Sequence, residues 1–177
     1  MKQIKSTRNQ KGFTLVELAI VVAVGLILAA LGWTFLPDII GGNSAKKMIT
    51  AIQKAVPSIQ THFSRQSQVP NTAFTDQVAQ WQLVPADMIS GNNVVTEWGN
   101  WTFVGTAASN TITSTLNNVP NRECRDIVRE MNTRTYRTVS VNNNSLKAVP
   151  GAQIDLNEVA KQCASDANTI AFSFSKG

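Results

Sequence analysis

The sequence has 177 residues, enough for one folded domain plus an accessory segment, and 43% of them are hydrophobic. Its formal net charge of +5 would suit a nucleic-acid-binding protein, but four of the positive charges lie in the first twelve residues, which contain no acid. Without that stretch the net charge is +1. The basic balance therefore does not by itself indicate a nucleic-acid partner.

The first element is the apolar segment, residues 13–36, in which Glu17 is the only charged side chain. About 20 consecutive apolar residues can cross a bilayer as a helix. Lys and Arg beside such a helix stay on the cytoplasmic side, so the basic first twelve residues place the N-terminus inside. We therefore predict that residues 13–36 form a transmembrane helix and that the rest of the chain is exported.

Glu17 distinguishes between three kinds of N-terminal segment: a secretory signal, a plain membrane anchor, and a signal cleaved ahead of the apolar segment. A secretory signal has a shorter apolar stretch, with its cleavage site after it. A carboxylate inside a membrane helix costs about 2.5–3.5 kcal/mol on insertion scales, and a plain anchor has no reason to contain one. Cleavage between Gly12 and Phe13 would create an amino group one helical turn from Glu17, able to neutralise it within one subunit or between neighbours.

Residues 11–18, KGFTLVEL, resemble the class III signal of type IV pilins and type II secretion pseudopilins. The resemblance implies that residues 1–12 are a leader, which a membrane aspartyl peptidase, the prepilin peptidase, removes after Gly12. It also implies N-methylation of Phe13 and a role for Glu17 in aligning subunits. An inner-membrane platform and its ATPase would then extract the apolar segment from the membrane and pack it in the filament core.

The next stretch, residues 37–65, is an amphipathic continuation of the N-terminal helix. Pro37 and the pair Gly41–Gly42 disfavour helix, so we predict a kink or a flexible stretch there; a plain linker is the alternative. Beyond them, apolar side chains recur every three or four positions, the spacing of one helical face. This face consists of Ile49, Ile52, Val56, Ile59 and Phe63. We expect it to cover a β-sheet formed by the rest of the chain.

Residues 66–177 contain short predicted strands and helices and form the globular head. In order, they are a helix at 76–81, strands at 101–104 and 111–116, a helix after Pro120, a hairpin with strands 136–141 and 145–149 around an asparagine turn, a helix from Asp155 to Cys163, and a strand at 170–174. Asp155 with Glu158 forms a variant of the capping box. The pattern predicts an α+β fold, a long N-terminal helix packed on an antiparallel sheet. That fold resembles the α/β-roll of pilins.

Two cysteines, Cys124 and Cys163, lie in the part predicted to be exported. Their spacing fits neither a CxxC redox motif nor a zinc site, so we predict a disulfide; two unpaired buried thiols are the alternative. Such a bridge resembles the one that bounds the D-region of pilins, here residues 124–163, a loop that shapes subunit contacts and the exposed surface. This spacing and the sequence CRDIVR resemble type IVb pilins, especially PilS-like ones, whereas the short leader and Phe13 are typical of type IVa.

An enzyme is not indicated, because the sequence has one histidine and no HExxH, GxSxG or phosphate-binding glycine motif. We predict no catalytic residue, no metal site and no cofactor. Acids and arginines within residues 122–134 are spaced for surface ion pairs on a helix. The arginines could instead bind phosphate groups of DNA or lipopolysaccharide, which is the lesser of the two interpretations.

The resemblance implies a major pilin, a structural subunit that polymerises with itself from the inner membrane into an extracellular type IV pilus of a Gram-negative bacterium. The pilus would serve adhesion, conjugation, motility or DNA uptake. Two alternatives stay open. A type II secretion pseudopilin usually has a metal site in place of the D-region disulfide. A minor pilin would use its body to bind a surface or DNA, and tip-initiating minor pilins often lack the glutamate found here at position 17.

Overall fold

The longest element is helix α1, which spans Leu15–Ser64. The computed structural model of the protein describes the backbone of residues 15–177 and the side chains of residues 16–28 and 43–177. The predicted leader, residues 1–12, lies outside the described residues.

The chain divides after Ile40 into two compact units, and the second unit, Gly41–Gly177, is called the body below. The division falls within the predicted amphipathic continuation. The helix assignment of α1 runs through Pro37 and the pair Gly41–Gly42, so the bend expected there stays a prediction.

Within the body, α1 buries one face, and that face is the predicted one. Ile52, Val56, Ile59 and Phe63 are each no more than 2% exposed, and Ile49 is partly buried against them. Small and flexible side chains complete the stripe: Ala45, Met48, Ala51 and Ala55. Burying one large apolar side chain contributes about 1.5–3 kcal/mol, so this face is a principal source of the stability of the body.

The rest of the body contains three further helices and seven strands among the described residues. The helices are α2 (Thr75–Gln80), α3 (Asn121–Glu130) and α4 (Leu156–Gln162). The strands are β1 (Ile89–Ser90), β2 (Asn93–Val94), β3 (Trp101–Thr106), β4 (Thr111–Val119), β5 (Thr138–Val141), β6 (Asn144–Lys147) and β7 (Asn168–Ser175). All of the predicted helices and strands are present, with ends that differ by a few residues.

Five of the strands form one antiparallel sheet in the order β3-β4-β7-β5-β6. The central strand is β7, whose Ile170, Phe172 and Phe174 are fully buried, as their alternation with small residues predicts. In the core beside it, the Trp101 Nε1 donates to the Ser114 Oγ. This bond satisfies both polar groups away from water.

The β5–β6 hairpin turns on Asn142 and Asn143, both of which have positive φ, 51° and 67°. Two such residues between paired strands are typical of a type I′ turn, which favours asparagine. Asn144 already belongs to β6, so the turn is one residue shorter than predicted. The small β1–β2 hairpin is absent from the prediction, because strands of two residues show no periodicity.

The C-terminal end of the described chain holds the end of α1. The Lys176 Nζ donates to the main-chain oxygens of Gln66 and Ser67, at 2.5 and 2.7 Å. The Gln60 Nε2 donates to the Ser175 oxygen at 2.9 Å. Carbonyls just past a helix lack helical partners, so the lysine supplies donors where the chain needs them.

Replacing Phe63 by Ala should strongly destabilise the body. Phe63 is fully buried and its ring meets that of Phe74 edge to face at 5.3 Å. We expect the free energy of unfolding to fall by about 3–5 kcal/mol. Urea denaturation of the full chain in detergent, followed by tryptophan fluorescence, measures this change. As the control, Leu156→Ala removes a side chain that is 53% exposed and should change stability by no more than about 0.5 kcal/mol. Equal effects of the two substitutions would contradict the proposed core.

Candidate functional site

The predicted assembly residue, Glu17, lies in the first turn of α1, and its side chain is exposed. An acidic side chain is favourable at this end of a helix, because the helix dipole is positive there. Gly12 and Phe13 lie outside the described residues, so cleavage after Gly12 and methylation of Phe13 stay predictions.

Around Glu17, α1 is covered with exposed apolar side chains. Nine of them, between Val16 and Leu28, are 49–67% exposed: Val16, Leu18, Ile20, Val21, Val22, Val24, Leu26, Ile27 and Leu28. At about 100° of rotation per residue these positions occupy every side of the helix. A helix that is apolar all round is stable only in apolar surroundings, which lipid or other helices supply.

Among the residues whose side chains are described, no helix is both long enough and apolar enough to cross a membrane. The transmembrane helix predicted at residues 13–36 lies partly outside those residues.

The second candidate site is the region bounded by the disulfide between Cys124 and Cys163, which the structure contains as predicted. Cys124 lies in α3 and Cys163 is the C-cap of α4. Both are fully buried, and their Cα atoms are 5.7 Å apart. The bridge joins the two helices and encloses the β5–β6 hairpin in a loop with a sequence separation of 39 residues.

Polar contacts tie the hairpin turn to the end of α4 and to β7. The Asn142 Nδ2 donates to the Gln162 oxygen at 3.0 Å and to the Asn168 Oδ1 at 2.9 Å. Asn168 is fully buried, and its own Nδ2 donates to the main-chain oxygens of Val119 and Ser165. Sequence reasoning did not single out Asn168; a buried amide in a strand is recognised only once its distant partners are known.

α4 starts at its predicted cap. The Asp155 side chain accepts from the Asn157 main-chain N–H at 2.8 Å. Glu158 does not complete a capping box with it, but accepts from the Lys161 Nζ at 2.6 Å. This ion pair raises the pKa of Lys161. It is an exposed pair, and such pairs contribute little to stability.

The prediction that every acid of α3 lies on its surface is wrong for Glu123, which is only 7% exposed. Glu123 precedes Ile127 by four residues, so both lie on the side of α3 that faces the core. Arg122, Arg125 and Arg129 are exposed, three or four residues apart along the same helix.

Two further titratable groups of this region are buried. Desolvation, with a smaller contribution from the charge of Glu130, raises the pKa of Tyr136 to about 12. Desolvation lowers the pKa of Lys147, which is 2% exposed. In the described part of the chain, no group of three or more His, Cys, Asp or Glu side chains is arranged to hold a metal ion.

Two family models match this sequence. The model described as "PilS N terminal" matches residues 42–175, more than half of the chain. The model described as "Prokaryotic N-terminal methylation motif" matches residues 7–33. A search of curated protein sequences finds no match.

Solved structures share the fold. The type IVb pilin from Salmonella typhi matches with a TM-score of 0.50 and 20% identity, over 71% of this chain and 98% of that one. TcpA, a type IV pilin from Vibrio cholerae El Tor biotype, matches with a TM-score of 0.54 and 13% identity, over 75% of this chain and 99% of that one. Identities this low show the fold alone.

The long helix, the antiparallel sheet and the disulfide-bounded region together define the fold of a type IV pilin, and the predicted fold class is confirmed. The chain belongs to the PilS family. It is therefore a pilus subunit, of a class that polymerises and is processed by a prepilin peptidase.

Replacing both Cys124 and Cys163 by Ser should destabilise the body without changing its fold. For a sequence separation of 39 residues, the chain-entropy model gives a loss of about 4 kcal/mol. The measurement is urea denaturation of the oxidised wild type, the reduced wild type and the double variant. The reduced wild type should resemble the variant. Equal stability of all three would show that the bridge does not stabilise the body.

Proposed function

We propose that this chain is the major subunit of a type IV pilus, in which the apolar segment is the polymerisation element and the body forms the outer surface. The observation that supports the proposal best is the all-round exposure of apolar side chains on α1 between Val16 and Leu28. So large an apolar surface is not left in water by a soluble monomer. Lipid would cover it before assembly, and the same segments of other subunits would cover it afterwards.

Processing would prepare the N-terminal end for this exchange. The prepilin peptidase would cut after Gly12, and the new N-terminus at Phe13 would be methylated. The basic leader would hold the N-terminus of the precursor on the cytoplasmic side of the inner membrane until that cut. Its removal takes away four positive charges, which would otherwise have to enter an apolar filament core.

Glu17 would set the register between subunits. In a core from which water is excluded, an unpaired carboxylate is strongly unfavourable, and the amino group of a neighbouring Phe13 offers an opposite charge. A subunit inserted too high or too low would leave both charges unpaired. The pairing would therefore select one axial position as the platform and its ATPase add subunits.

The disulfide-bounded region supports a pilin over a secretion pseudopilin. This region is held together by a covalent bond between two buried cysteines and by the hydrogen bond between Asn142 and Asn168. A minor pilin differs from a major one in abundance, which sheared filaments reveal directly.

Intact-mass analysis of protein sheared from the cell surface tests the processing step. We expect the principal species to begin at N-methylated Phe13 and to be two hydrogens lighter than the reduced chain. Fragmentation of the N-terminus locates the methyl group. A chain that still begins at Met1 and occurs only in the membrane would contradict the proposal, and a correctly processed but scarce species would identify a minor pilin.

Replacing Glu17 by Ala should leave the body folded and depress assembly. Removing one partner of a buried charge pair costs about 2–5 kcal/mol, and each 1.4 kcal/mol is about a tenfold change in an equilibrium constant. We therefore expect the yield of sheared pili to fall by more than about tenfold, with unchanged amounts of processed subunit in the membrane.

Asp38→Ala is the matched control, because it removes an acid from the same helix outside the apolar segment. This variant should assemble normally. Glu17→Gln, which keeps the shape and removes the charge, should behave like Glu17→Ala. Abundant pili from either Glu17 variant would overturn the charge-pairing role.

A further inference from the structure

A polar cavity of about 300 Å³ lies within the disulfide-bounded region. Its walls are the loop after α3 (residues 132–134), the turn at residues 151–153, and Lys147. The two loops are tied together by Asn132, whose Oδ1 accepts from the Ile154 main-chain N–H at 3.1 Å and whose Nδ2 donates to the Gln153 Oε1 at 3.2 Å. The protein's own hydrogen bonds therefore define the cavity.

Lys147 is buried because of a β-bulge at the edge of the sheet. Val139 pairs with Lys147, but the next residue, Ser140, pairs with Ser145, so Leu146 is the extra residue of β6. The bulge places Lys147 directly opposite Val139, whose side chain is fully buried. In a regular hairpin Leu146 would take that position. The bulge thus leaves the apolar Leu146 unpaired and turns the Lys147 side chain inward, beside the cavity.

Among the residues whose side chains the structure describes, none supplies a counter-charge to the ammonium of Lys147. Its one hydrogen bond to a described residue is the donation from its Nζ to the Thr133 oxygen at 2.5 Å, although an ammonium has three donors. In the described part of the chain Lys147 forms no ion pair, and no carboxylate lines the cavity. Buried charges in proteins are normally paired.

Arg134 adds a second cation to the same cavity. It is exposed, so its guanidinium can reach a ligand from the solvent side. A guanidinium matches the two oxygens of a carboxylate geometrically.

We propose that this cavity binds a single carboxylate group, held by the Lys147 ammonium on the inner side and by the Arg134 guanidinium at the rim. The carboxylate comes either from an acidic small molecule or sugar outside the pilus, or from a side chain of a neighbouring subunit. The site itself does not depend on the proposed polymerisation, which enters only in distinguishing these two sources.

The test uses the full chain in detergent, labelled with ¹³C and ¹⁵N at the lysine side chains, and acetate as the probe. We expect acetate to shift the Lys147 side-chain signal saturably at about millimolar concentration, as befits a small charge-assisted ligand. Sodium chloride keeps the ionic strength constant, so a change in non-specific screening cannot cause the shift. The Lys147→Arg variant assigns the signal.

Arg134→Gln tests the rim. Because Arg134 is exposed, this variant should keep the stability of the wild type, and it should raise the dissociation constant for acetate by about tenfold or more. Arg125→Gln, the control, removes an exposed arginine of α3 that does not line the cavity, and it should leave the constant unchanged. The proposal is overturned if acetate fails to shift the Lys147 signal, if both variants weaken binding equally, or if phosphate binds more tightly than acetate.

The same measurement on sheared pili, by solid-state NMR, identifies the source of the carboxylate. A Lys147 signal that is already at the bound position and does not respond to acetate indicates a carboxylate from the neighbouring subunit. A signal that still titrates indicates an external ligand.

Discussion

Ile52, Val56, Ile59 and Phe63 lie on one side of α1 and are buried in the same core as the central strand β7. Neither surface is stable alone, since a single helix or an uncovered sheet face would leave its apolar side chains in water. The rest of the body is arranged around this contact. The C-terminal residues hold the end of α1, because Lys176 donates to Gln66 and Ser175 accepts from Gln60. The helices α3 and α4, which the disulfide joins, cover further core residues.

The distribution of apolar side chains on α1 differs between its two ends. In the body it buries one stripe, whereas from Val16 to Leu28 apolar side chains occupy every side and are exposed. The family models follow a similar division, because the methylation motif ends at residue 33 and the PilS model begins at residue 42. The first part is suited to apolar surroundings and the second to water. In the proposed assembly, a subunit would therefore change what covers its N-terminal segment without unfolding its body.

Much of the fold was predictable because its longer elements have regular periods. The stripe of α1 and the alternation in β7 each repeat over enough residues to be recognised, and low identity to Salmonella typhi pilin and TcpA does not disturb such patterns. The N-terminal signal could be recognised equally well, because Glu17 is the only charged residue in the apolar segment. These features depend on residues close together in sequence.

The parts that could not be predicted depend on distant contacts or on local irregularity. Asn168 bonds to Val119 and Asn142, 49 and 26 residues away. Lys147 is buried through a one-residue bulge, whereas lysine is ordinarily a surface residue. The spacing of acids and arginines in α3 predicts surface ion pairs, although the position of Glu123 relative to Ile127 places it on the inner side of the helix. In each case tertiary structure overrides the ordinary preference of the residue type.

The position of β7 has a consequence for how a newly made subunit matures. It follows all other strands of the sheet in the chain, yet it lies between β4 and β5. Until β7 has emerged during synthesis and export, the strands of this sheet form two separate hairpins, β3–β4 and β5–β6, which are marginal in water. Both cysteines precede β7, so they can be oxidised before the sheet closes. The disulfide can thus bring the β3–β4 and β5–β6 hairpins together first, and β7 can then pair with both in a last, cooperative step.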